Sequence, residues 1–349
     1  MSERYLKRSW RQVKLISKDP LLFIVIIVIL TSLILFILFP LFKVITASIF
    51  PQNSFSLSVL AEVIGSWYLR QAFYNSVMMG ALTGFFGVAV GFIFAFTMAR
   101  TNIPFKKFFH LIAIVPIISP PFIGALSIIM LFGNNGFISD TILHLTNVKI
   151  YGFRGLLFAQ VLTFFPVAYI ILRGVLESIS PTLEDAALDL GGSRLKVFAR
   201  ATLPLAVPGI ASAMLILFIE TLADFGNPLI LAGSKFPVLS VQAYLQITGM
   251  YDLPKGAALA LMLLVPAFFS GLIYSFVRAM TAISAVIFLV SSSWSLMTVQ
   301  IMSQVESGRL GAAAAFSVIL VMIILAAIIV IRSILTLRYG RFGGTTLKF

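Results

Sequence analysis

Cysteine is missing from all 349 residues, which excludes disulfide frameworks and thiolate metal sites. Two histidines, His110 and His144, leave no His-rich metal site within one chain. Charge is also scarce. Asp, Glu, Lys and Arg make up 11% of residues, against about 25% in a soluble domain. No G-x-x-x-x-G-K-[ST] pattern occurs anywhere, so the chain lacks a phosphate-cradling P-loop of its own. Acidic residues are outnumbered 12 to 25 by Lys and Arg, a net charge of +13. In a soluble protein that excess would point to nucleic acid. Here the basic residues sit between long apolar runs, where they set membrane topology.

The chain is instead rich in apolar residues, at 60%. Residues 20–42 are uncharged and apolar (PLLFIVIIVILTSLILFILFPLF), long enough to cross about 30 Å of hydrocarbon as a helix. This run has the length of a full span and no small-residue cleavage site, so it is expected to be retained. Further runs cover about 72–99, 109–132, 155–172, 203–232, 256–290 and 311–331, with 256–290 interrupted only by Arg278. A membrane β-barrel would show alternating ten-residue segments instead. The expected fold class is therefore all-α transmembrane, a polytopic bundle of about 7–8 spans.

Lys and Arg placement predicts the orientation. The 1–19 tail carries Arg4, Lys7, Arg8, Arg11, Lys14 and Lys18 and is assigned to the cytoplasm. Counting onward puts the 100–107 loop and the 173–202 loop on the same side. Reading 256–290 as two short spans that turn at Arg278 puts the 333–349 tail there too. That arrangement places 18 of the 25 basic residues inside and 7 outside.

The most informative segment is the inside loop from Glu184 to Ile210, EDAALDLGGSRLKVFARATLPLAVPGI. It reads as a short amphipathic helix with Pro181 at its start. Ala187, Leu190, Leu195, Val197 and Phe198 are its candidate apolar contacts. On helix character alone it is equally an ordinary surface helix between two spans. The residue pattern goes further. Asp185-Ala186-Ala187 is followed by Gly191, and nine residues after that come Ala201, Thr202, Leu203 and Pro204. The segment resembles the EAA loop of type I, binding-protein-dependent ABC importer permeases, with Asp185 in place of Glu and Ala201 in place of Ile. The resemblance implies that 181–204 docks in a groove on a cytoplasmic ATPase dimer. Small Ala186, Ala187 and Gly191 would allow close approach, and acidic Glu184 and Asp185 would meet basic partner groups. It implies a permease module over 68–277, after a first helix at 20–48. A periplasmic substrate-binding protein is the other expected partner, and ATP hydrolysis falls to a separate subunit. No cofactor is expected.

Residues 218–228, FIETLADFGNP, place Glu220, Asp224 and Asn227 at i, i+4 and i+7, on one face if the helix is continuous. A carboxylate at that depth is costly unless it faces protein or water. Two readings stand side by side: a lining of the translocation path, or a buried interhelical polar cluster that includes Arg278. The phrases LADFGNP and, at 276–291, FVRAMTAISAVIFLVS resemble the first and second halves of fused iron(III) transport permeases. Thiamine and aminophosphonate permeases are near that branch.

Shifted by 58 residues, Leu203–Thr248 lies over Leu261–Glu306 with 11 identities in 46 positions, Pro208/Pro266 and Gln242/Gln300 among them. Such repeats are common in transporters. The second copy, 261–332, has no EAA loop. The expectation is a two-module permease lacking the end of module one and the start of module two, with a junction near 256–263. One coupling loop per chain implies that a second permease copy or chain completes the transporter, or that the product is inactive. The rival from another class is a secondary transporter or channel that needs no ATPase.

Overall fold

The computed structural model describes residues 20–281 except 52–53, 119–120, 146–147, 190 and 235, with scattered helical positions between 312 and 326. The basic N-terminal tail, the 333–349 tail and most of the repeat's second copy lie outside the described residues. Every regular element among the described residues is helical. Six helices there are long and apolar enough to cross a membrane: Pro20–Ile49, Trp67–Arg100, Ile123–Ile142, Phe153–Ser178, Arg194–Ala223 and Leu253–Ser275.

In chain order the helices are α1 (Pro20–Ile49), α2 (Ser58–Gly65), α3 (Trp67–Arg100), α4 (Lys106–Ile118), α5 (Pro121–Phe132) and α6 (Phe153–Ser178). They continue as α7 (Pro181–Asp189), α8 (Arg194–Val197), α9 (Leu203–Ala223), α10 (Gly226–Leu231), α11 (Leu239–Thr248) and α12 (Leu253–Thr281). Three sequence-based expectations need correction. The apolar run 109–132 is two helices, α4 and α5, because consecutive prolines at 120 and 121 cannot supply backbone donors to a continuing helix. The run 203–232 breaks after Ala223. No turn occurs at Arg278: α12 passes through it, and no Gly or Pro lies between Gly271 and Thr281 to stop it.

The chain forms two compact units. The smaller comprises the chain up to Tyr74 and Pro237–Leu264. Its core joins Val63, Leu69 and Ala72 to Leu239, Ala243, Ala258 and Leu259. Glu62 and Lys255 form an ion pair in it, and the Asp252 carboxylate caps α12 by accepting from the Lys255 N–H at 3.0 Å. Helix α1 also lies in this unit and buries nothing before Ser48, as an apolar helix surrounded by lipid would.

The larger unit, Asn75–Phe236 with the described residues from Val265 onward, is built on α3, α6 and α9. Lipid tails are as apolar as Leu, so close packing rather than water exclusion must hold such helices together. Small residues make that packing possible. A Cβ on Gly87 would lie 2.6 Å from Leu217 Cδ2, and one on Gly91 would lie 2.8 Å from the Ala168 Cβ. Helix α4 is fastened to α6 by polar contacts. His110 Nδ1 lies 2.7 Å from the Tyr169 hydroxyl and 2.9 Å from Arg173 Nη1. A guanidinium only donates, so Nδ1 accepts from Arg173.

Candidate functional site: the two ends of helix α9

At one end of α9 lies the EAA-like segment. Pro181 begins α7, where a missing N–H costs nothing. The helix closes in a Schellman arrangement: the Gly192 N–H donates to Ala187 O at 3.1 Å and the Gly191 N–H to Leu188 O at 2.9 Å. Gly191 has φ +84°, and a Cβ there would touch nothing. Glycine is required by backbone angle, not by space. Ser193 then caps α8 by accepting from the Lys196 N–H. A π-helical turn, Phe198–Thr202, joins it to α9 without interruption, with Leu203 and Pro204 in its first turn. The expected single helix is thus two short ones around a glycine hinge.

The side chains sort by direction. Val197 is buried, and Phe198 packs edge-on against Phe92 and Phe96 of α3. Asp185 and Ala186 are exposed, Ala187 is half-buried, and Leu195 is 76% exposed. Glu184 departs from the expectation that it meets partner groups. Its Oε1 accepts from Arg100 Nε at 2.9 Å and from the Thr202 hydroxyl at 2.8 Å. Arg100 Nη2 also donates to Ile179 O at 3.1 Å. The carboxylate is taken up within its own chain. Sequence spacing gave no sign of this contact, because Arg100 and Glu184 are 84 residues apart.

At the other end α9 stops at Ala223, and Asp224 is extended (φ −64°, ψ 124°). Pro228 contributes locally: in a continuing helix its ring would strike the carbonyl of Asp224 and leave it without a donor. The expected shared helical face of Glu220, Asp224 and Asn227 therefore does not exist. The break nevertheless brings all three to one cavity of about 510 Å³, which Thr163, Phe164 and Pro116 also line. The Asp224 carboxylate receives Gln160 Nε2 at 2.9 Å, Asn227 Nδ2 at 3.0 Å and the Asn227 N–H at 3.3 Å. Gln160 also accepts from Thr83 of α3. Asn227 is 1% exposed and its Oδ1 has no hydrogen-bond partner. Glu220 is exposed on the cavity side of α9. Arg278 lies within α12. Gln160 and Thr163, on α6, were not singled out by sequence reasoning; an uncharged Gln and Thr on a membrane helix carry no motif. Among the described residues no three His, Cys, Asp or Glu converge as a metal cage would need.

The profile of the binding-protein-dependent transport system inner membrane component family matches residues 87–268. The chain belongs to this family. It is 31% identical over 264 residues to the ferric transport system permease protein FbpB of Actinobacillus pleuropneumoniae, a match that covers 74% of this chain and 38% of that one. The molybdenum transport system permease protein ModB of Escherichia coli strain K12 is 29% identical over 157 residues, 45% of this chain and 69% of that one. The chain spans about two fifths of the length of the ferric relatives it matches. A solved chain of the bacterial alginate ABC transporter in complex with alginate pentasaccharide-bound periplasmic protein superposes with a TM-score of 0.65 at 19% identity, over 77% of this chain and 96% of that one. That likeness carries the fold. Family and apolar helices together make this a multi-pass inner-membrane protein.

Proposed function

We propose that the chain is the transmembrane permease subunit of an ATP-driven, binding-protein-dependent importer of iron(III) or an iron chelate. The observation that carries the reading is the α7–α8 segment. It leads without interruption into a membrane-length helix, and it presents Asp185, Ala186 and Leu195 outward. A cytoplasmic ATPase dimer docks there, a periplasmic binding protein delivers substrate, and a second permease copy or chain supplies the second coupling segment. The substrate assignment follows the ferric relatives. The cavity supports it, since the carboxylates of Glu220 and Asp224 suit a hard cationic cargo. Glu220, Asp224, Asn227 and Arg278 are the candidate path residues. Both termini face the cytoplasm in this reading.

Two measurements test it. The chain should copurify with a P-loop ATPase, and Leu195→Asp or Ala186→Asp should reduce that association about tenfold or more, as removal of an interface anchor does. Equal recovery with both substitutions overturns the docking role. A reporter fused at residue 349 should be active only in its cytoplasmic form; activity of a periplasmic reporter there overturns the topology.

A further inference from the structure

Glu184 sits at a junction of four elements. Arg100 is the last residue of α3 and also donates to the carbonyl of Ile179, the residue that ends α6. Glu184 belongs to the first turn of α7. Thr202 closes the turn that enters α9. The guanidinium and the hydroxyl both donate to the same oxygen, Glu184 Oε1. The node is sheltered: the Arg100 and Glu184 side chains are 11% and 19% exposed, and Thr202 is buried. A pair that is held from water and shares further hydrogen bonds is far more demanding of its geometry than an exposed ion pair. The covalent connections of α7 are soft by comparison. Ile179 is extended on one side and Gly191 is left-handed on the other. Force applied to α7 through those two hinges alone would be absorbed by backbone rotation.

We propose that Glu184 is a positioning residue, a latch with Arg100 and Thr202 that makes a displacement of α7 move α3 and α9 together. The inference rests on the proposed docking of an ATPase at α7, but it assigns Glu184 to the inner face of that helix, not to the docking surface. Asp185, the exposed neighbour, is left for the partner.

The absence of native cysteine makes the test direct. A spin label on Asp189→Cys reports α7 mobility in the full chain alone. Glu184→Ala and Arg100→Ala should each raise that mobility, and Glu184→Gln should stay near the parent, because its amide oxygen can still accept from both donors. The second measurement uses the chain copurified with its ATPase and a thiol reagent on Ala223→Cys at the cavity. ATP with vanadate should change labelling there in the parent, and Glu184→Ala should reduce that change about tenfold while ATPase recovery is retained. Unchanged mobility in both alanine variants overturns the latch. Raised mobility with an undiminished response at residue 223 overturns its role in transmission. Glu184→Gln as impaired as Glu184→Ala shows that charge at the surface, not the shared oxygen, is what counts, and also overturns it. A parent chain that recruits no ATPase overturns the proposed function instead; the mobility comparison still decides the latch.

Discussion

The two ends of α9 solve the same problem by opposite means. At Gly191 the chain turns because a residue without Cβ takes φ +84°, and the freed carbonyls are satisfied within five residues. At Asp224 a proline four residues on disfavours the helix, and the carboxylate that turns out of it is held by Gln160, 64 residues away. The first break is local and works in water. The second depends on tertiary contacts. The two breaks should therefore answer differently to mutation.

The largest effect is expected at Asp224. Asp224→Leu strands the Gln160 and Asn227 amide donors, and each buried unpaired group costs about 1–3 kcal/mol, so about 3 kcal/mol in total is expected. Asp224→Asn should lose less, because its Oδ1 can keep one donor. Thermal unfolding of the detergent-solubilised chain measures both. Equal losses would mean that the carboxylate's packing, not its hydrogen bonds, holds the break. At Gly191 the cost is conformational. Gly191→Val should destabilise α7 by about 1–2 kcal/mol, and Gly191→Asn by less, since Asn tolerates the left-handed region. Hydrogen exchange of the Gly192 amide reads this locally. Equal protection in the two variants would show that the Schellman closure is not what ends the helix.

The same contrast explains what the sequence made legible. The loop at 181–204 could be recognised because its requirements are short-range: a proline at a helix start, a glycine at its close, a serine cap, and a fixed count of residues to Leu203 and Pro204. The spans at 67–100, 153–178 and 203–223 could be found because hydrophobic length is a property of the segment itself. What escaped was set elsewhere in the chain. Glu184 was expected to face a partner, since nothing near it in sequence announces Arg100. The i, i+4, i+7 pattern of Glu220, Asp224 and Asn227 implied one helical face, which the break removes. The three share a cavity because the helix breaks, and α6 supplies the Gln160 and Thr163 that shape it. The turn inferred at Arg278 came from charge counting, which constrains where a segment ends up but not where its helix stops.

The smallest effect should come from Pro228, and it separates the two causes of the break. If the ring clash alone keeps Asp224 out of the helix, Pro228→Ala should let α9 run on into α10. If the carboxylate contributes as much, the break should persist, because Asp224 would still accept from Gln160 and still cap α10 through the Asn227 N–H. The second outcome is expected, since straightening the helix would withdraw the carboxylate from two amide donors at 2.9 and 3.0 Å. Stability should then fall only by about 0.5–1 kcal/mol, the entropy that proline removes from the unfolded chain. Spin labels on Ala223→Cys and Leu229→Cys, both at exposed positions, measure the distance across the break. An unchanged distance in Pro228→Ala, altered when Asp224→Ala is added, places the determinant in the side-chain network. A distance that changes with Pro228→Ala alone, to the roughly 9 Å rise of six helical residues, would place it in the proline and make both ends of α9 depend on local backbone chemistry.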